Sequence, residues 1–181
     1  MRRTSEEENE TVPIEAVKEG DFILAKGTEG LFFTPAIVVD LHPDSNSGVV
    51  TLKTKSGQHI TLTGAHMTLV HDAEKQELVP VPARLVRPGS QVEVTSADGL
   101  TMLDEVLDVS PADPSSIEGL ANILTGTDTI VVNGVVGSTL SENSTRTLAR
   151  RFWGRGLHLL NDVAGPTVTR YGYRMLEWVM A

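Results

Sequence analysis

The chain has no cysteine among its 181 residues. That absence excludes disulfides, thiolate metal sites and an internal thiol nucleophile. Aromatic residues are scarce at 4%, and positive charge is outweighed, with 15 Lys and Arg against 24 Asp and Glu for a formal net charge of −9. A chain this acidic lacks the basic surface that phosphate neutralisation requires, so a nucleic-acid partner is not expected. Nowhere does an apolar run approach the ~20 residues needed to cross a bilayer. Met1-Arg2-Arg3 leads into Glu6, Glu7, Glu8 and Glu10, where a secretory signal would need an apolar stretch. The compartment is not fixed by these features.

What is present reads as β structure. Residues 1–11 carry no apolar side chain after Met1 and are expected to be a disordered acidic lead. A short turn of helix is expected over 12–20, then strands at 22–25, 36–41, 49–54 and 58–63, separated by Gly-rich and Pro-Asp-Ser-Asn turn chemistry. In Ile60–Val70 the alternation pauses at Gly64-Ala65 and resumes at Met67, so two short strands meet at a bend that carries Thr63 and His66. A glycine beside two proton-handling side chains lets a backbone approach closely.

An internal repeat organises the pattern. Pro13–Gly20 (PIEAVKEG) is echoed by Pro82–Gly89 (PARLVRPG), pairing Pro13 with Pro82, Val17 with Val86 and Gly20 with Gly89 at an offset of 69 residues. Ile37–Pro43 is echoed by Glu105–Pro111, and Gln58–Gly64 by Asp128–Gly134. One duplication of this length predicts two similar β halves, 12–80 and 81–144, related by a pseudo-two-fold axis.

Beyond Leu140 the spacing turns helical, and residues 145–181 gather Arg146, Arg150, Arg151, Arg155, Arg170 and Arg174 with both Trp and both Tyr residues. A helical basic and aromatic tail of this kind suits contact with lipid or a sterol. His42, His59, His71 and His158 show no second ligand at useful spacing, so neither a metal nor a cofactor is expected.

The bend TGAH (63–66) within ITLTGAHMTLV, then VPARLVRPGSQVEV (81–94), then GLANILTGTDTIVVNGVVGS (119–138), in this order, resemble the C-terminal autoprocessing domain of Hedgehog proteins. That domain is a Hint domain, of the superfamily shared with inteins, and the resemblance covers about residues 12–160. It implies a mostly β horseshoe fold of two pseudo-two-fold-related subdomains, followed here by the short helical tail, in a monomer. It further implies an N-to-S acyl shift at the peptide bond ahead of a first Cys, then displacement of the thioester by a sterol hydroxyl, the substrate being the domain's own upstream polypeptide. Thr63 and His66 match the family's TxxH pair, and Asp40, in IVVDLHP, matches its acceptor-activating Asp. Members work in the secretory pathway.

Two departures stand out. The nucleophilic Cys would lie several residues ahead of Met1, so the chain as given is expected to be inactive in cleavage. The family's Ser-Cys pair falls on Ser138 and Thr139. A non-catalytic Hint-derived binding or structural module is therefore the alternative reading.

Overall fold

A computed structural model describes residues 2–5, 8–42, 48–96 and 98–142. The expected helical tail, 145–181, and the turn residues 43–47 lie outside these described residues. Within them run thirteen strands: β1 (Arg2–Ser5), β2 (Glu8–Glu10), β3 (Phe22–Gly27), β4 (Gly30–His42), β5 (Val49–Thr54), β6 (His59–Thr63), β7 (Met67–Asp72), β8 (Glu77–Pro82), β9 (Gln91–Thr95), β10 (Thr101–Pro111), β11 (Leu120–Thr125), β12 (Thr129–Val132) and β13 (Val135–Ser138). One sheet has the order β11-β4-β3-β1-β2; the other runs β12-β13-β9-β10-β5-β6, with β7 joining β9 to β8.

The repeat seen in the sequence is a repeat of backbone geometry. Pro13 and Pro82, at φ −56° and −54°, each open a single 3-10 turn, Ile14–Ala16 in one half and Ala83–Leu85 in the other. Val17 and Val86 close these turns by donating to Ile14 O and Ala83 O, both at 3.2 Å. Three residues later Gly20 and Gly89 sit at φ 89° and 90°, a conformation that penalises any side chain. Ala36 N–H then donates to Asp21 O and Val106 N–H to Ser90 O, both at 2.8 Å. Each of the three matched residue types thus has one local job: proline fixes φ at the entry, valine plugs the core, and glycine turns the chain into a strand. The equivalence of Ala36 with Val106 also corrects the strand alignment, which the sequence echo placed two residues away.

The halves interlock. By position in the repeat, the β5–β6 hairpin belongs to the first half, yet β5 pairs with β10, from Val50↔Pro111 to Thr54↔Val106. Reciprocally β11 pairs with β4, from His42↔Leu120 to Ala36↔Thr125. Each pairing contains one irregularity, at Val106/Asp108 and at Leu124/Thr125. The larger core packs Leu52, Ile60 and Leu62 of one hairpin against Val86, Val92, Val94 and Val106 of the opposite half, and a smaller one gathers Val17, Ile23, Ala36 and Ile123. Burying such side chains stabilises the fold by roughly 1.5–3 kcal/mol each.

The acidic lead departs from expectation. Residues expected to be disordered form β1 and β2, paired with each other, and β1 extends the first sheet beside β3 through Arg2↔Ile23 and Arg3↔Phe22. Edge pairing satisfies backbone groups and needs no apolar side chain, which is why composition misses it.

Candidate functional site

The bend between β6 and β7 is a tight turn closed by His66 N–H donating to Thr63 O at 2.9 Å. Space at Gly64 is tight, because a Cβ there would meet Arg84 Cβ at 3.3 Å and Gly48 O at 3.4 Å. The stretch after β13 runs across the bend as a strap. Met67 N–H donates to Leu140 O at 2.9 Å, Glu142 N–H to Ala65 O at 2.7 Å, and His66 forms a β-bridge with Ser141. From the other side Ala83 N–H donates to His66 O at 2.8 Å.

His66 Nε2 lies 2.6 Å from Ser138 O. Burial lowers the imidazole pKa below its usual value, and the Ser138 carbonyl only partly offsets this. A neutral ring beside a carbonyl must carry its proton on Nε2, so Nδ1 keeps a lone pair with no protein partner among the described residues. Such a nitrogen can take a proton and return it.

Thr63 and His66 stand in the wall of a largely apolar cavity of about 600 Å³. Ile60 and Leu62 of β6, Leu120 and Ile123 of β11 and Val135 of β13 line it as well. Thr68 and Thr139 also border it, and their buried hydroxyls find no hydrogen-bond partner among the described residues. β6 and β11 are each the last strand of a sheet, so the cavity lies between two sheet ends.

Asp40 is not brought to this place. On β4 it is Leu41 that lines the cavity, while Asp40 alternates to the other face and lies 3.4 Å from His42 Nε2, with 42% of its side chain exposed. Of the three side chains expected to converge, Thr63 and His66 border the cavity and Asp40 is not among the residues that line it. Arg84 and Glu142 form a 2.7 Å ion pair that spans the bend, and nothing in the sequence marks either of them for it. Ordinary surface charges carry no signal of such a role. Among the described residues no group of three or more potential ligands gathers at a metal site, and no helix is long and apolar enough to cross a membrane.

Residues 2–172 match the Hint module. The chain belongs to that family. Solved structures agree at the level of fold. An intein from a hyperthermophile superposes with a TM-score of 0.57 at 15% identity, over 65% of this chain and 71% of the other. The PabCDC21-1 intein gives 0.56 at 17%, over 67% and 75%, and a DnaB intein from Synechocystis sp. PCC 6803 gives 0.55 at 16%, over 70% and 85%. No curated protein matches the chain. Hint and intein domains act on their own flanking polypeptide, and this Hint module presents a neutral histidine and a threonine to an apolar cavity between two sheet ends.

Proposed function

We propose that this Hint module is an autoprocessing domain of the Hedgehog type, in which Thr63 and His66 act on the peptide bond ahead of a thiol supplied by polypeptide upstream of the sequence. The observation that carries the reading is His66 in the cavity wall, held by Ser138 O as the Nε2–H tautomer, with no partner for Nδ1 among the described residues. In the first step Nδ1 takes the thiol proton, sulfur attacks the carbonyl carbon, and the C–N bond breaks as His66 returns that proton to the departing amine. Atoms balance: an amide becomes a thioester and a free amine. The Thr63 hydroxyl, at the same cavity wall, polarises that peptide in this reading. Acid–base help of this kind contributes roughly 10²–10⁴ in rate. An acceptor alcohol of sterol type then displaces the thiol. Asp40, as it stands beside His42, takes no part in the first step.

The likeness to intein structures favours a second reading, splicing, in which the flanks are joined rather than one being transferred to an alcohol. A chain without cysteine favours a third, a binding module that has lost its chemistry. One experiment separates them. The chain is extended at its N-terminus with a Cys preceded by a reporter protein and treated with dithiothreitol, with and without a sterol. Dithiothreitol-dependent release of the reporter, abolished by His66→Ala, and a sterol-sized mass increase on the reporter support the Hedgehog-type reading. Ligated flanks support splicing, and an uncut precursor with both additives overturns catalysis altogether.

A further inference from the structure

The TGAH bend closes on a single internal turn hydrogen bond, so something else must hold its two central peptides. Gly64 O accepts from Arg84 twice, from the main-chain N–H at 3.0 Å and from Nη1 at 3.3 Å. Ala65 O accepts from Glu142 N–H at 2.7 Å. The Arg84 guanidinium and the Glu142 carboxylate are themselves paired at 2.7 Å. Both carbonyls between Thr63 and His66 are thus gripped by the two members of one ion pair, one reaching from the 3-10 turn before β9 and the other from the strap after β13. Arg87 stiffens the first arm by donating through Nη1 to Arg84 O and Val86 O, both at 3.0 Å.

The repeat supplies an internal control. The residue matching Arg84 at the offset of 69 is Glu15, of opposite charge, on a 3-10 turn with the same entry and exit geometry. The turn therefore does not need a guanidinium. The half that carries one is the half whose turn abuts the His66 bend.

We propose that Arg84 and Glu142 are positioning residues, an electrostatic latch that holds the Gly64 and Ala65 peptides so that the His66 imidazole stays on the Ser138 carbonyl with Nδ1 presented to the cavity. Its consequence for cleavage rests on the function proposed above; its consequence for the imidazole does not. With side-chain exposures of 45% and 22%, the pair is open enough to salt to be tuned by ionic strength.

The test is proton and nitrogen NMR of the His66 ring in the full chain, for wild type, Arg84→Gln, Glu142→Gln and the charge-swapped double variant Arg84→Glu/Glu142→Arg. Wild type is expected to show a single Nε2–H tautomer. Either single variant should give a mixed tautomer population and a titration nearer that of a solvated histidine, and the swap should recover the wild-type signature. In wild type alone, raising salt to ~1 M should move the ring the same way, a readout that needs no variant to fold. In the Cys-extended precursor, breaking the latch should slow reporter release roughly 10- to 100-fold, the scale of a misplaced catalytic group. An unchanged ring in both single variants, or an undiminished release rate in Arg84→Gln while wild type is active, overturns the proposal. A wild-type precursor that never cleaves, with the ring still responding to latch removal, overturns the proposed function and leaves the latch standing.

Discussion

His66 Nε2 and Ser138 O, 72 residues apart in sequence, face each other at 2.6 Å. The acceptor is a backbone atom, so its place is set by the path of the strap that follows β13 and by nothing in the Ser138 side chain, whose hydroxyl instead accepts from Leu140 N–H at 3.0 Å. A histidine held in this way is kept neutral by burial and kept in one tautomer by its neighbour, two conditions that a proton shuttle near neutral pH requires.

Stability should therefore depend on pH through His66. Its folded pKa is depressed, so below the ordinary value of about 6.5 the unfolded chain binds a proton that the folded chain refuses. The contribution is fully present above that value and is lost as pH falls through it toward the folded value. Denaturation midpoints measured from pH 8 down to pH 5 should fall in wild type and fall less in His66→Gln, which keeps an N–H donor for Ser138 O but cannot titrate. Parallel curves for the two proteins would assign the acid loss to other groups.

Thr68 and Thr139 each bury a hydroxyl with no partner among the described residues. An unsatisfied buried hydroxyl costs about 1 kcal/mol or more, and valine has the same shape without it. Thr68→Val and Thr139→Val should each raise stability by about 1 kcal/mol in urea denaturation. A loss of similar size in either variant would mean that the hydroxyl has a partner in solution.

Local chemistry was legible in the sequence and distant pairing was not. The ends of Val49–Thr54 are visible in the sequence, because apolar alternation stops at Ser56-Gly57 and at Gly48, residues that fix the backbone where they stand. The duplicated 3-10 turns were visible because Pro13/Pro82, Val17/Val86 and Gly20/Gly89 each answer to φ or to burial at one position. The exchange of hairpins between halves left no local trace, since β5 carries the same alternation whether it pairs within its own half or with β10. The TGAH bend announced itself through Gly64, whereas its grip by Arg84 and Glu142 depends on three distant segments meeting. Asp40 shows the limit most plainly: spacing places it on β4, but side chains alternate in a strand, so one residue's difference in phase decides whether Asp40 or Leu41 looks into the cavity.

Asp40→Asn accordingly should leave thioester formation in the Cys-extended precursor within about twofold of wild type, because its carboxylate lies against His42 on the face away from the cavity. Half-exposed and solvated, it also carries little stability. A large drop in dithiothreitol-dependent release, without a drop in the denaturation midpoint, would show that β4 rotates Asp40 toward the site when a peptide is bound.

Lys26 on β3 is ion-paired with Glu93 on β9, whose side chain is 8% exposed against 25% for the lysine, and whose second oxygen has no hydrogen-bond partner among the described residues. The lysine is anchored at its backbone as well: its N–H donates to Thr129 Oγ1 at 2.9 Å, and that hydroxyl donates back to Lys26 O at 2.7 Å. The two partners are unequal. Removing the lysine strands a carboxylate where water hardly reaches, whereas removing the carboxylate leaves an ammonium that can still find solvent. Lys26→Met should therefore cost about 3 kcal/mol and Glu93→Gln distinctly less. The double variant Lys26→Met/Glu93→Leu should recover most of the loss, since an apolar pair spends nothing on desolvation. A double-mutant cycle in urea reads the coupling directly. If Lys26→Met and Glu93→Gln prove equally mild, the carboxylate is reached by water in solution and Lys26 is held to the second sheet by its backbone bonds to Thr129 of β12 rather than by Glu93.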